Sequence, residues 1–187
     1  CRCPAGLYTE SHDGEVLRHM RPTLSELGEY DGTALMEFKT KKEIVYLLNR
    51  LNVCTYEMDD TPPFLVNQEA IDTAIELCLM MNMDIIDEIH IARKQYLDGS
   101  IPTGFQRTAI IGVNGYLPFH GRRLTVTHVS VEEDSCREVR DKGHQIVWRT
   151  DRLGMPLTET VTGAELRTPE EVRDAILLCG PTARSTG

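Results

Sequence analysis

Two runs rich in β-branched residues, separated by a short polar stretch, constrain the fold of this chain more than any other feature. Residues 108–113 and 123–131 favour extended strands, and the His-Gly pair at residues 120–121 is typical of a turn between them. An Asn-Gly pair at residues 114–115 is expected to end the first strand. Further strand patterns occur at residues 88–93, 145–148 and 157–161. The sequence therefore predicts a mostly antiparallel sheet built around a hairpin.

Helix signals lie on both sides of these strand patterns. Residues 40–43 read Thr-Lys-Lys-Glu, a capping box, and the apolar residues that follow predict a helix over residues 41–51. Asn67 is a favoured N-cap residue before a strongly amphipathic segment. Thr168 and Pro169 start a third helix, which the Gly-Pro pair at residues 180–181 is expected to stop or kink. Helices flanking an antiparallel sheet predict an α+β fold.

The composition of the chain excludes several classes of protein. It has 187 residues, of which 41% are hydrophobic and 26% charged, as expected for one globular domain. No apolar run approaches the length of a membrane-spanning helix, so no membrane partner is expected. The formal net charge of −9 argues against nucleic acid as the main partner of this segment. Six scattered cysteines, two of them at residues 1 and 3, fit reduced thiols in a cytoplasmic protein.

Two clusters of carboxylates at strand patterns point to a metal site. Glu132, Glu133 and Asp134 follow the second β-branched run, and alternation along the strand places Glu132 and Asp134 on one face. Glu159 lies inside a later strand pattern, where a glutamate is out of character. Magnesium takes oxygen ligands in octahedral geometry, which carboxylates on rigid strands can supply. The alternative is that these acidic side chains are simply exposed to solvent, as most are.

Several longer motifs, in order along nearly the whole chain, resemble those of one family. They are Arg21-Pro22-Thr23 with residues 25–29, Arg93-Lys94-Gln95 with Asp98-Gly99-Ser100, Gly104-Phe105-Gln106-Arg107-Thr108, Glu132-Glu133-Asp134, residues 151–159 (Asp-Arg-Leu-Gly-Met-Pro-Leu-Thr-Glu), the helix start at Thr168 and residues 184–186. By these motifs the chain resembles the archaeal GatE family of glutamyl-tRNA(Gln) amidotransferase subunits. It is more distantly similar to the bacterial and organellar GatB subunits.

The resemblance implies a role in translation. Members of the family convert Glu-tRNA(Gln) to Gln-tRNA(Gln): ATP phosphorylates the γ-carboxylate of the tRNA-bound glutamate, and ammonia then displaces the phosphate. An asparaginase-like partner, the D subunit, supplies the ammonia, and a heterotetramer is expected for the full-length protein. The catalytic domain of the family is a cradle-shaped α+β domain similar to glutamine synthetase. The chain is therefore expected to be part of an ATP- and Mg2+-dependent ligase.

The resemblance also implies a metal site and a catalytic set. The magnesium ligands of the family include the first Glu of the E-E-D motif and the Glu of the P-L-x-E motif, which are Glu132 and Glu159 here. A third ligand is the His of an N-terminal G-x-E-x-H motif. Glu132, Glu159 and Arg107 form the predicted catalytic set.

Cations near these motifs are expected to bind the phosphate groups of ATP. Arg93, Lys94 and Arg107 could bind phosphate oxygens, Arg107 bidentately, and Ser100 belongs to the same implied nucleotide site. The alternative for each cation is a solvated surface charge. Arg152 is expected to orient a neighbouring carboxylate, that of Asp151 or Glu159. The residues expected to support the site are Glu133, Asp134, Asp151 and Arg152.

The chain departs from the family pattern in the segments it does not contain. The G-x-E-x-H motif, the R-R-G-[IL]-G-x-x-R-Q-D segment, the inserted domain and the helical tRNA-binding tail do not occur in its 187 residues. Residues 1–187 are therefore expected to form a single partial catalytic domain that does not amidate Glu-tRNA alone. A second hypothesis is a non-catalytic module that docks to the asparaginase-like partner or to the tRNA acceptor end, with its carboxylates solvated.

Overall fold

Three helices and nine strands form the α+β fold within the part of the chain that the computed structural model describes, residues 11–19, 22, 24, 25 and 27–186. Cys1, Cys3 and parts of the motif at residues 21–29 lie outside these residues. The helices are α1 (Gly32–Thr40), α2 (Gln68–Met80) and α3 (Pro169–Arg184). The strands are β1 (Gly14–His19), β2 (Glu43–Leu48), β3 (Asp84–Ile85), β4 (Ile91–Gln95), β5 (Phe105–Phe119), β6 (Arg122–Glu133), β7 (Arg137–Lys142), β8 (Gln145–Arg149) and β9 (Pro156–Thr162). The predicted fold class is confirmed.

The larger of two sheets contains the predicted hairpin. β5 and β6 pair antiparallel around the turn at residues 120–121, β9 pairs with the other side of β6, and β3 and β4 both pair with β5. The prediction that residues 114–115 end the first strand is wrong, because pairing with β6 continues on both sides of them. Asn114 adopts a left-handed φ of 57° there, a conformation that Asn tolerates better than most residues.

The smaller sheet overturns the first predicted helix. Its strand order is β1-β2-β8-β7, with β2 and β8 parallel, and residues 43–48 form its inner strand β2 instead of a helix. Ile44 and Tyr46 are 2% and 1% exposed. A short apolar run of this kind suits a buried strand as well as a helix, so periodicity alone cannot distinguish them. Thr40 is the last residue of α1, and Lys41 ends that helix with a left-handed φ of 51°.

The other two predicted helices form and cover the larger sheet. The Asn67 side chain accepts from the backbone N–H of Glu69 at the start of α2, which packs Ala74, Leu77 and Cys78 against β5 and β6. The Thr168 side chain caps α3, which continues through Pro181 to Arg184, so the Gly-Pro pair does not stop it. Among the described residues, no helix is both long enough and apolar enough to cross a membrane.

Two crossovers between the sheets bring the carboxylate clusters together. The chain leaves the larger sheet after β6, forms β7 and β8 in the smaller sheet, and returns as β9. The backbone N–H of Asp134 donates to the carbonyl of Met155 at 2.8 Å, and that of Gly154 to the carbonyl of Asp134 at 3.0 Å. Because β9 runs antiparallel beside β6, its first residues lie next to the last residues of β6.

Candidate functional site

Glu132 and Glu159 lie on the same face of the larger sheet and approach a single cation. Ser130 pairs with Glu159 across the two strands, and Glu132, two residues further along β6, shares the face of Ser130. The ammonium nitrogen of Lys94, on β4, is 3.2 Å from Oε1 of Glu132 and 3.8 Å from Oε1 of Glu159. The two carboxylates are therefore close enough to bind one positive ion.

The two carboxylates differ in how firmly they are held. Glu132 is 6% exposed and accepts a hydrogen bond of 3.1 Å from the hydroxyl of Thr108 on β5. A buried carboxylate needs such partners, because losing its hydration is costly. The side chains of Glu159 and Lys94 are 43% and 46% exposed. Glu132 is thus the fixed member of the pair, while Glu159 and Lys94 reach it from the solvent side.

The electrostatics of this face favour positive charge. Partial burial opposes the charged form of Lys94, but its hydrogen bond to Glu132 and the charges of Glu132 and Glu159 outweigh that effect and raise its pKa. Ser130 lies opposite Glu159 and two residues before Glu132 on the same face, and its hydroxyl is buried with no hydrogen-bond partner among the described residues. An ammonium between two carboxylates, with an unused hydroxyl oxygen beside them, fits the oxygen-rich site that a hard cation prefers.

The carboxylate pair is the only part of the implied metal site that these residues bring together. Within residues 11–19, 22, 24, 25 and 27–186, no three His, Cys, Asp or Glu side chains are arranged to hold a metal ion. Glu132 and Glu159 would therefore supply two oxygen ligands, as the resemblance implies for them.

Arg107, the third member of the predicted catalytic set, lies on the opposite face of the sheet. Its guanidinium donates to Oε1 of Glu133, with an Nε–Oε1 distance of 3.0 Å, and is centred 4.6 Å from the ring of Tyr56. The Tyr56 hydroxyl donates to the other oxygen of Glu133 at 3.3 Å. Successive residues of a strand face opposite sides, so Glu133 and Arg107 share the α2 side with Val131 and Ala109. The structure therefore places Arg107 with Glu133 on the face opposite Glu132 and Glu159, and its catalytic role stays a prediction.

The other predicted nucleotide-binding residues are not gathered around Lys94. Arg93 pairs with Arg107 in the register of β4 and β5, on the face opposite Lys94, and its guanidinium lies 5.6 Å from the centre of the Phe105 ring. Ser100 is 4% exposed, and its hydroxyl donates to Oδ1 of Asp98 in the same turn at 2.7 Å. Lys94, one of the predicted phosphate-binding cations, contacts both carboxylates of the Glu132–Glu159 pair.

The supporting residues stabilise the two crossovers. Arg152 donates from Nε to Oδ2 of Asp134 at 2.8 Å, and Arg137 donates to Oδ2 of the fully buried Asp151 at 2.7 Å. Arg137 is the cation paired with Asp151, and Arg152 pairs with Asp134, while the role of Arg152 beside Asp151 or Glu159 stays a prediction. These ion pairs hold the backbone from which Glu132 and Glu159 project.

Three contributors to the site were missed from the sequence: Thr108, Ser130 and Tyr56. Thr108 and Ser130 look like ordinary strand residues, and their roles depend on which residue of the next strand lies opposite. Ser130 stands between Val129 and Val131, but a hydroxyl there is not a distinctive signal, since Thr is itself favoured in strands. Tyr56 lies outside every predicted element, and only the fold brings it to Glu133.

Comparison with known proteins agrees with the motifs. The profile of the family described as GatB/GatE catalytic domain matches residues 48–187. Proteins named as the E subunit of glutamyl-tRNA(Gln) amidotransferase align over the whole chain, with 37% identity in Methanocaldococcus jannaschii, 39% in Aeropyrum pernix and 40% in Saccharolobus islandicus. The chain spans 30% of the length of the first of these relatives and 29% of the other two. On this evidence, the chain belongs to the GatB/GatE catalytic domain family.

Proposed function

We propose that this chain contributes the cation-binding face of a tRNA-dependent amidotransferase that converts Glu-tRNA(Gln) to Gln-tRNA(Gln). The observation that carries the proposal is the convergence of Glu132 and Glu159 on one positive charge, 3.2 and 3.8 Å from the Lys94 nitrogen. The relatives that align with the whole chain are named as the E subunit of a glutamyl-tRNA(Gln) amidotransferase, which supports the same reaction.

The proposed reaction has two steps, both of which move negative charge. A γ-carboxylate oxygen of the tRNA-bound glutamate attacks the γ-phosphorus of ATP, and ADP leaves, giving an acyl phosphate. Ammonia then attacks the acyl carbon, inorganic phosphate leaves, and the nitrogen loses a proton to give the amide. A site for this chemistry must neutralise phosphate oxygens and orient them, since positioning and charge stabilisation provide most of the catalysis of phosphoryl transfer.

Residues of this chain can meet these demands from one face of the sheet. Magnesium, when bound, would neutralise and orient the phosphate oxygens, and Glu132 and Glu159 would hold it. Thr108 keeps the Glu132 carboxylate in place through the 3.1 Å hydrogen bond. Lys94 brings a further positive charge on a flexible and partly exposed side chain. Arg107 is assigned the separate task of fixing Glu133 and the end of β6.

The name of the relatives also bears on partners. A protein named as one subunit of an enzyme acts with other subunits, and we propose that this chain works with an asparaginase-like D subunit, which supplies ammonia, and with Glu-tRNA(Gln). Its net charge of −9 gives it little affinity of its own for RNA. The tRNA would therefore bind mainly to surfaces other than those of this segment.

Metal binding by carboxylate variants tests the proposal. Mn2+ binding to the complete protein is measured by calorimetry for the wild type, Glu132→Gln and Glu159→Gln, together with ATP-dependent formation of glutaminyl-tRNA from ammonium. Each substitution removes one negatively charged ligand while keeping the side-chain volume. Glu138→Gln, on the exposed outer strand β7, is the matched control.

The two substitutions are expected to weaken Mn2+ binding about tenfold or more and to abolish amidation, because loss of a residue that only orients a metal ligand already costs about 10–100-fold. Glu138→Gln should change neither quantity. If both site variants bind Mn2+ as the wild type does, the carboxylates are not metal ligands, and the alternative of a docking module for the asparaginase-like partner or the tRNA acceptor end gains support.

A further inference from the structure

The ammonium of Lys94 lies in the space that a metal ion between Glu132 and Glu159 would need. It is nearest to Oε1 of each carboxylate, 3.2 Å from the first and 3.8 Å from the second. A magnesium ion binds such oxygens at about 2.0–2.1 Å and demands near-ideal octahedral geometry. An ion bound to both oxygens would leave no room for the ammonium group between them.

Electrostatics lead to the same conclusion. Two like charges about 4 Å apart repel each other strongly where water is partly excluded. Glu132 is 6% exposed, so its surroundings screen charge poorly. A divalent cation would therefore expel the ammonium group from this position.

The structure shows which partner is able to move. Glu132 is held by Thr108 in the middle of the sheet, on the inner pair of strands β5 and β6. Lys94 lies on β4, whose five residues are all exposed, and its long side chain is 46% exposed. Rotation about the side-chain bonds of Lys94 can carry the ammonium to solvent without disturbing the sheet.

We propose that Lys94 is an exchangeable counter-ion, which neutralises the Glu132–Glu159 pair without metal and is displaced when a divalent cation binds. Displacement makes its ammonium available to an anionic group at the same face, such as a phosphate oxygen. Lys94 is thus a positioning residue that keeps two like-charged carboxylates together until the metal arrives. The proposal rests on the proposed function in one respect, that Glu132 and Glu159 bind a divalent cation.

The first test is Mn2+ titration of the complete protein with Lys94→Met. Removing the competing cation should tighten Mn2+ binding about two- to fivefold, the range that corresponds to the strength of a single partly exposed ion pair. The matched control is Lys42→Met, which removes the same charge from an ion pair with Asp141 at 2.8 Å on the smaller sheet. This control should leave the affinity unchanged.

The second test follows the lysine itself. Acetylation of individual lysines by a water-soluble ester is measured by mass spectrometry with and without Mn2+. The rate at Lys94 should rise when Mn2+ is added, because the ammonium leaves its two carboxylate partners, whereas the rate at Lys42 should not change. In Glu132→Gln, which removes a ligand, Mn2+ at the same concentration should no longer raise the rate at Lys94.

The outcomes separate the two proposals. If Glu132→Gln weakens Mn2+ binding but Lys94→Met leaves it equal or makes it weaker, the metal site stands and the exchange is wrong. An unchanged acetylation rate at Lys94 on addition of Mn2+ would also overturn the exchange. If Glu132→Gln binds Mn2+ normally, both the metal assignment and the exchange built on it fail.

Discussion

The ion pair between Arg107 and Glu133 should stabilise the fold, and a double-mutant cycle can measure its contribution. The two side chains are 15% and 19% exposed, so water screens the pair only in part. The guanidinium donates from two nitrogens to one carboxylate oxygen, and the Tyr56 hydroxyl donates to the other. Because the pair is largely buried and both oxygens of Glu133 accept hydrogen bonds, it should contribute more to the stability of the fold than an ordinary surface ion pair does.

The expected coupling energy follows from these contacts. Exposed ion pairs contribute about 0.2–1 kcal/mol, and removing one partner of a fully buried pair costs about 3–5 kcal/mol. For a pair with intermediate burial we expect a coupling of about 1–2 kcal/mol between Arg107→Met and Glu133→Gln. The Lys42–Asp141 pair, with side chains 31% and 43% exposed, is the matched control and should give less than about 1 kcal/mol.

Urea unfolding followed by tryptophan fluorescence is a suitable assay. Trp148 is the one tryptophan of the chain and is 6% exposed, so unfolding should change its emission. The free energies of unfolding of the wild type, the two single variants and the double variant give the coupling energy. Additivity within about 0.3 kcal/mol would refute the conclusion that Arg107 serves the fold through Glu133.

Three further predictions concern the sheet around the site. Gly112→Ala should destabilise the fold by about 1–3 kcal/mol, because the added Cβ would lie 2.6 Å from Sγ of Cys78 on α2. Thermal unfolding of the double variant with Cys78→Ala should show that part of this stability is recovered. If the stability losses of the two single variants simply add, the clash is contradicted. Thr108→Val should cost about 1 kcal/mol in the same measurement, since Glu132 loses a donor, and an unchanged midpoint would mean that the hydrogen bond contributes nothing. Burial and the neighbouring Glu133 raise the pKa of Tyr56 to about 12, so the folded state favours the neutral phenol. The free energy of unfolding should therefore be complete below about pH 10 and fall as the pH rises toward 12. This loss of stability should be smaller in Tyr56→Phe.

The hairpin strands β5 and β6 and two of the helices could be predicted because their signals are local. The β-branched runs of β5 and β6 and the caps at Asn67 and Thr168 act within a few residues of the chain, and the structure contains each element. The failure at residues 41–51 has an equally physical cause. β2 pairs with a neighbouring strand on each edge, and all but one of its residues are buried or half-buried. Its sequence is therefore a continuous apolar run without the alternation of polar and apolar residues that marks a half-exposed strand.

The partners of the carboxylates depend on a register shift that no local pattern reveals. From the turn, the pairs of β5 and β6 run from Phe119 with Arg122 to Gly112 with Val129, and then shift by one residue to Ile110 with Ser130. Without this β-bulge, Glu132 would lie opposite Ala109, which faces the core. A shift of one residue exchanges the faces of a strand. The bulge therefore places Thr108 opposite Glu132 and Arg107 opposite Glu133.

By itself, the sequence determined the α+β class, the family and the two glutamates on which the proposed metal site depends. It could do so because strand patterns, helix caps and motifs each depend on residues that are close together in the sequence. Only the tertiary structure decided that Lys94 joins Glu132 and Glu159 while Arg107 turns to the other face. Those relations join residues on β4, β5, β6 and β9, and they depend on sheet register and on the crossovers that return the chain to β6. Contacts between residues far apart in the chain are set by packing, which short-range sequence patterns do not encode.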